Sequence, residues 1–532
     1  MEQVDTIIVG AGSAGAVLAH RLTADGRRRV LLLEAGRPSH PYSRLPVSYG
    51  LLIDEPTANW RFRSTPEPGT ANREIPVPRG KLLGGSSAIN GLVYVRGQPL
   101  DFDTWAQFGN RGWSWDDVLP VFRRMEAFAQ GDPAVRGRGG PLHVTEVADR
   151  NPLYDAIVAA AEQAGQRRNP DYNGLDQEGI GRTQATIARG RRMSTAVCYL
   201  DEAMRRPNLR VVTEALTHRV LLEGTRCVGV AYESGGGVVE VRAREVILCA
   251  GAICTPQILE LSGIGDPDVL RAQGVAVRHA LPAVGRNLRD HIAARLIWRI
   301  KVPGVSYNDR ARGLGLMREI ARYLASGSGF LSLPSAPLLG FFKTRPELAT
   351  PDIQIHFVPY SVKDPKRRKL QTFPSMTTAV YQLRPESLGS VHIRSADPRE
   401  PPAIRFNFLS DEIDRRTIVD GIRIARRIIE SPAMDTYRGD EFQPGRQVER
   451  DDELIDWMRR TSETTYHPIG TCRMGPGPDS VVDATLKVHG LQGLRIADAS
   501  IMPTMPSGNT NAPAVMIGEK AADLIGAESS AA

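Results

Sequence analysis

Thr6-Ile7-Ile8-Val9-Gly10-Ala11-Gly12-Ser13-Ala14-Gly15 is the stretch that decides the fold. Its first four residues are apolar or β-branched and read as a buried strand, and three glycines at GxGxxG spacing follow at once. A helical pattern continues through Val17, Leu18 and Leu22, and Val30-Leu31-Leu32-Leu33 reads as a second strand ending at Glu34. This is a βαβ unit that carries the glycine fingerprint in the context its chemistry requires. Gly10 permits the tight turn, Gly12 lets the backbone approach a pyrophosphate, and Gly15 lets helix pack closely on strand. The helix start at Ser13 and Ala14 offers unpaired amides and a partial positive charge to phosphates. Glu34, with Ala35 beside it, is placed to accept hydrogen bonds from an adenosine ribose, and a carboxylate there disfavours a 2′-phosphate. The fingerprint alone does not separate FAD from NAD.

Composition sets the outer bounds. A chain of 532 residues exceeds one typical core, so two domains or one large composite body are expected. The net charge of +7 is a small excess of 67 Lys and Arg over 60 Asp and Glu. The basic stretches Arg27-Arg28-Arg29, Arg205-Arg206 and Lys366-Arg367-Arg368-Lys369 lack interleaved aromatics and read as solvated surface, which argues against nucleic acid as a partner. Five cysteines show no metal-ligand spacing, and their odd number argues against a disulfide framework, so no metal is expected. Met1 to Asp5 is acidic and runs straight into an apolar segment, unlike a secretory leader, and no apolar run reaches membrane-spanning length. The expectation is a soluble cytoplasmic protein, with peripheral membrane contact left open. Only the Glu528–Ala532 tail reads as frayed.

Three further segments narrow the cofactor. Gly80-Lys81-Leu82-Leu83-Gly84-Gly85-Ser86-Ser87-Ala88-Ile89-Asn90-Gly91, leading into Leu92 and Val93, suits a backbone lying against a flat or anionic ligand. Val246-Ile247-Leu248-Cys249 reads as a buried strand, and the run after it, Gly251 to Gly265, contains Thr255-Pro256, read as N-cap and first helical residue. Near the end stands Tyr466-His467-Pro468-Ile469-Gly470-Thr471-Cys472-Arg473-Met474-Gly475. Together these segments resemble the signature regions of the glucose–methanol–choline (GMC) oxidoreductases, in that family's order, from Thr6 to about Ile525. Within the family the resemblance is to bacterial FAD-dependent alcohol and sorbose dehydrogenases and to aryl-alcohol oxidases.

The resemblance implies an α/β fold: a Rossmann-like FAD-binding domain joined to a second, α+β substrate domain built on an antiparallel sheet. It implies oxidation of a primary alcohol to the aldehyde. That chemistry needs a base for the hydroxyl proton while a hydride leaves the carbon, and imidazole titrates near working pH. His467 is the implied base. Asn511, in Gly508-Asn509-Thr510-Asn511-Ala512-Pro513, is the implied second catalytic residue, able to orient the hydroxyl but not to take its proton. The helix after it would turn its positive N-terminal end to the charge that develops on a reduced flavin. Implied cofactor-binding residues are Gly84, Ser87, Asn90, Gly91, Leu92 and Val93; Val220 at the adenine; Asp498 with Ala499; and Thr510 with Asn511.

Departures from the family pattern carry expectations of their own. Ile89 stands where members with covalent flavin have histidine, so non-covalent FAD is expected. The stretch Ser335-Ala336-Pro337-Leu338-Leu339-Gly340-Phe341-Phe342 has no carboxylate to meet a trimethylammonium group, so choline is disfavoured and a small uncharged alcohol is expected. Gly190 to Ala196 resembles dehydrogenating members, which favours a quinone- or dye-type electron acceptor over oxygen; an aryl or furan alcohol oxidase is the alternative, and a lyase or photoenzyme on the same scaffold a further one. FAD-binding segments at 1–154, 206–309 and 461–532 would alternate with substrate-domain segments at 155–205 and 310–460. The latter holds strand-like Ile353–Phe357 and Ser390–Arg394, and a helical pattern through Ile418, Ile422, Ile424, Ile428 and Ile429. The oligomeric state is not legible.

Overall fold

The computed structural model describes residues 3–364 and 369–531. Met1, Glu2, Ala532 and most of the basic run at 366–369 lie outside the described residues.

The opening strand Gln3–Val9 sits inside a mixed seven-stranded sheet. Leu209–Val212, Val30–Leu33, Gln3–Val9 and the end of Gly237–Leu248 run parallel in that order, and Leu494–Ile496 continues the sheet in parallel beyond Leu248. Arg226–Ser234 and Leu216–Glu223 extend it antiparallel. The parallel strands are nearly continuous apolar runs because helices cover them: Val30–Leu33 is buried throughout. Helix Ser13–Leu22 follows the fingerprint and packs on the C-terminal helix Asn511–Ala531. Two glycines show why they are required. Gly10 has φ +100°, and a Cβ on Gly15 would lie 1.9 Å from the Gly10 carbonyl oxygen.

The second sheet also has seven strands, all antiparallel: Arg438–Gln443, Ile292–Ile300, Ser375–Gln382, Ile353–Val358, Leu338–Phe342 and Gly179–Arg182, with Glu463–Thr464 also on Ile292–Ile300. Helix Glu412–Ile429 carries the expected isoleucine face and buries it against this sheet. The fold is thus the α/β body with an antiparallel-sheet region expected from the sequence.

Three local readings differ. Ser390–Arg394 does not join the large sheet; Gly389–His392 lies in a separate three-stranded sheet with Arg286–Leu288 and Ala403–Arg405. Residues 196–203, placed with the substrate domain, pack on helix Ser13–Leu22. The helix containing Thr255-Pro256 begins a turn earlier, at Gly251, so Pro256 lies inside it. Proline cannot donate to the Ala252 carbonyl, and the Thr471 hydroxyl does so instead at 2.7 Å. That bond ties the helix to the segment carrying His467.

Candidate active site

One cavity of ≈ 1000 Å³ runs from the glycine fingerprint to one face of the antiparallel sheet. At its nucleotide end lie Gly10, Gly12, Ser13, Ala14, Glu34 and Ala35. Glu34 accepts from the amides of Ala11 (3.0 Å) and Gly36 (2.9 Å), and burial pushes its carboxyl up to about 7. Gly12 and Gly85 approach so closely that a Cβ on Gly85 would sit 2.7 Å from the Gly12 Cα. Asn90, Gly91, Leu92 and Val93 line the middle, with Leu92 held at φ +69°. Asp498, Ala499, Thr510 and Asn511 line the facing wall. Asp498 accepts from Gly251 N (2.8 Å), Thr255 Oγ1 (2.7 Å) and Ser500 N (2.7 Å), so one carboxylate ties its own turn to the start of helix Gly251–Leu261.

Some expected cofactor residues lie behind this surface. Gly84 and Ser87 shape the turn instead: Gly84 has φ +90°, and the Ser87 hydroxyl donates to its carbonyl at 2.6 Å. Gly15 acts through helix packing. Val220 gives its amide to Ser262 (2.9 Å), and the residues of that segment that reach the cavity are Ala215, Leu216 and Thr217.

The other end is built on sheet register. Arg295, Ala379 and His356 form one row across three strands, and Ile297, Thr377 and Val358 the next. All six side chains line the cavity. Arg295 lies 3.4 Å from Glu463, which also lines it. Of the stretch Ser335–Phe342, only Ser335 reaches the cavity; Leu338–Phe342 is a strand buried on both faces. The expectation about substrate charge therefore rested on residues that do not face the substrate space.

His467 enters from the opposite side and its backbone is tightly held. Tyr466 just before it has φ +71°, a conformation costing a non-glycine residue about 1–3 kcal/mol. Its amide donates to Thr464 Oγ1 (2.7 Å), and its carbonyl accepts from Arg79 (2.6 Å). Asp290 accepts from the amide of His467 (2.8 Å), the amide of His291 (2.7 Å) and the Thr464 hydroxyl. Burial pushes the Asp290 carboxyl up to about 6 and the Arg79 guanidinium down to about 10.

The imidazole protons follow from the contacts. His291 Nε2 lies 2.8 Å from the Leu383 carbonyl, which can only accept, so His291 carries its proton there. Burial lowers His291 to about 4, which keeps it neutral and leaves Nδ1 as an acceptor. His467 Nδ1, 3.0 Å away, must then be the donor, with Thr465 Oγ1 2.9 Å from the same nitrogen. The lone pair of His467 falls on Nε2, and the Asn509 amide group meets it at 3.0 Å. His467 is held well below its ordinary pKa by burial, then by His291, His356 and Arg79. His356 is lowered to about 3 by burial and by Arg295, and the Tyr381 hydroxyl and Gln354 amide each lie 3.0 Å from its Nε2.

The two asparagines of this segment point to different places. Asn511 does not reach His467; its amide donates to Ser13 Oγ at 2.8 Å, at the helix start beneath the glycine fingerprint. Asn509, two residues earlier, makes the contact with His467. Asn509 lies before helix Asn511–Ala531 and Asn511 is its first residue, so the two side chains leave the backbone in different directions. His291, Asn509, Asp290 and Arg295 were not singled out from the sequence. For His291 and Arg295 a signal existed in the alternation of the strand at 292–300, whose odd positions Arg295 and Ile297 face the cavity.

A dinucleotide cradle opening onto a buried, neutral imidazole with a free lone pair defines a dinucleotide-dependent oxidoreductase site. The chain belongs to the GMC oxidoreductase family, whose N-terminal region matches residues 4–293 and whose C-terminal region matches residues 385–518. It is 43% identical, over 98% of its length and 95% of the relative's, to an oxygen-dependent choline dehydrogenase of Escherichia coli K12. Among solved structures, pyridoxine 4-oxidase from Mesorbium loti superposes with a TM-score of 0.89 at 32% identity, covering 98% of each chain. A formate oxidase variant from Aspergillus oryzae gives 0.91 at 28% identity, covering 99% of this chain and 98% of that one. The protein is accordingly an FAD-dependent oxidoreductase acting on alcohols. The cradle fits that cofactor: two glycine turns meet backbone to backbone, and the cavity continues from them to His467.

Proposed function

We propose that the protein oxidises a primary alcohol to its aldehyde, with His467 as base and Asn509, in place of Asn511, as its partner. The observation that carries this reading is the Nε2 lone pair of His467, aimed into the cavity and met there by the Asn509 amide. Bound FAD would supply the hydride acceptor. Asn509 donates to the substrate oxygen and holds it at Nε2. His467 takes the hydroxyl proton, which raises the electron density that expels the hydride. His291 accepts from Nδ1–H and keeps the ring in the tautomer that leaves Nε2 free. Buried Asp290 fixes the backbone beneath. Asn511 and Ser13 hold the C-terminal helix to the fingerprint, on the cofactor side.

Ile89, a side chain without a nucleophile, lines the cavity where members with covalent flavin carry histidine, which supports non-covalent FAD. The substrate we favour is uncharged. Arg295 stands in the row beside His356, and Glu463, the carboxylate on that side, already pairs with it, so a quaternary ammonium group would meet a cation as readily as an anion. The choline dehydrogenase relative keeps choline as the second reading. A quinone- or dye-type acceptor is favoured over oxygen by the resemblance of Gly190–Ala196 to dehydrogenating members.

An anaerobic panel of alcohols that includes choline, followed by flavin absorbance, tests all of this. Bleaching by uncharged primary alcohols, with slow return of colour in air and fast return with a dye, is the expected result. Bleaching by choline alone would overturn the substrate reading, and no bleaching by any alcohol would overturn the reaction.

A further inference from the structure

Helix Gly313–Ser326 is amphipathic with its faces reversed. Its apolar side chains point away from the protein: Leu314 is 84% exposed, Leu324 79%, Met317 65% and Ile320 40%. Their spacing of three and four residues places them in one stripe, with Ala321 and Ala325 exposed along it. Two polar groups, Glu319 and Tyr323, face inward. Glu319, the helix's one carboxylate, is 5% exposed and accepts from Arg310 and from the Phe330 amide (2.9 Å). The Tyr323 hydroxyl donates to the Gly190 carbonyl at 2.9 Å. The helix is therefore fastened by hydrogen bonds and presents its apolar side to the outside.

Basic residues gather around this stripe. Arg318 and Arg322 flank it on the helix, Arg312 stands before its start, and exposed Arg189, Arg191, Lys363 and Lys369 lie on the adjoining turns. The place in the fold matters as well. Arg312 donates to the carbonyls of Leu370 (3.0 Å) and Gln371 (2.6 Å), on the hairpin whose Val362 and Lys363 line the large cavity. Lys363 is exposed and lines the cavity, so the cavity opens beside the helix.

We propose that this helix docks the protein on an anionic lipid bilayer, with the cavity mouth turned to the membrane. Leucine and methionine would enter the acyl boundary while the arginines and lysines meet acidic headgroups. Charge decides between this occupant and a second copy of the chain. In a two-fold contact the stripe would face itself, bringing Arg318 and Arg322 of both copies together with Glu319 turned away. Docking of this kind needs no spanning segment, in keeping with the absence, among the described residues, of a helix long and apolar enough to cross a membrane.

The test is co-sedimentation of the FAD-loaded protein with phosphatidylcholine vesicles, with and without phosphatidylglycerol. Binding to the anionic vesicles is expected. The variant Leu314→Ser/Met317→Ser/Leu324→Ser should partition at least about tenfold more weakly, with flavin content and melting temperature unchanged. Arg318→Gln/Arg322→Gln should lose the preference for anionic vesicles. Absence of wild-type binding, equal binding by the triple variant, or a wild-type dimer in sedimentation velocity that the triple variant dissociates would each overturn the proposal.

Discussion

The two ends of the cavity are built in opposite ways. The fingerprint of the nucleotide end is local: strand, glycine turn, helix and acidic strand end all lie within residues 3–36. The catalytic end draws single side chains from distant segments, with Asp290 and His291 before one strand, His356 and Tyr381 on two others, His467 on a loop, and Asn509 before the last helix. The local end tolerates no change of shape but asks little of side-chain chemistry. The assembled end depends on which nitrogen carries which proton, and that is set by groups nearly two hundred residues apart.

Gly15→Ala is the sharpest way to break the local end. Its Cβ would lie 1.9 Å from the Gly10 carbonyl oxygen, so strand and helix must separate, and loss of bound flavin in purified protein is the expected outcome. The control is Gly26→Ala, at positive φ (+74°) but with nothing within 4 Å of the new Cβ. It should cost about 1 kcal/mol in a denaturation midpoint and keep its flavin.

At the assembled end the two asparagines separate function from scaffold. Asn509→Ala should slow anaerobic flavin reduction about 10²-fold with flavin retained. Asn511→Ala should leave the reduction step closer to wild type and weaken flavin retention instead. The reverse pattern would return the catalytic role to Asn511.

His291 comes next in size. His291→Ala should slow reduction about 10-fold to 100-fold and move the acid limb of the rate profile towards higher pH, because His291 helps hold the His467 pKa down. His291→Asn, whose side-chain oxygen can still accept from Nδ1–H, should recover part of the loss. A purely structural residue would lower the rate without moving the limb.

The smallest expected effect is on stability. His467, His291 (about 4) and His356 (about 3) are lowered from the ordinary value near 6.5, so the unfolded chain binds more protons than the folded one below that pH. Their contribution is fully present above about pH 6.5 and declines as pH falls towards 4 and 3. Glu34 (about 7) and Asp290 (about 6) act in the opposite sense over the same window, so the histidine share is read by difference: between pH 7 and pH 5 the urea midpoint of His356→Gln should move less in the destabilising direction than that of the wild type.

The same contrast explains what the sequence disclosed. The fingerprint, Glu34, Asp498 and His467 were legible because each sits in a run whose neighbours define its setting. Asn509 and Asn511 were not separable, since two amides two residues apart look alike until the helix start fixes which way each points. His291 and Arg295 lie on or beside a strand whose alternation shows, but which of its faces meets the cavity is decided by the strands Ile353–Val358 and Ser375–Gln382, far along the chain. Leu338–Phe342 misled for the same reason: an apolar strand buried on both faces reads like the wall of an apolar pocket. Pro256 lies within its helix only because Thr471, far along the chain, satisfies the carbonyl that it leaves open.

The most direct test of the account is single-turnover flavin reduction by an alcohol, without oxygen, as a function of pH in the wild type and in His467→Ala. With His467 as a base whose pKa is depressed, the wild-type rate should stay level as pH falls through 6.5 and decline only well below it. His467→Ala should keep its flavin and reduce it about 10²–10⁴-fold more slowly, without that limb. Near-wild-type reduction in His467→Ala, or a wild-type limb at or above pH 6.5, would contradict it.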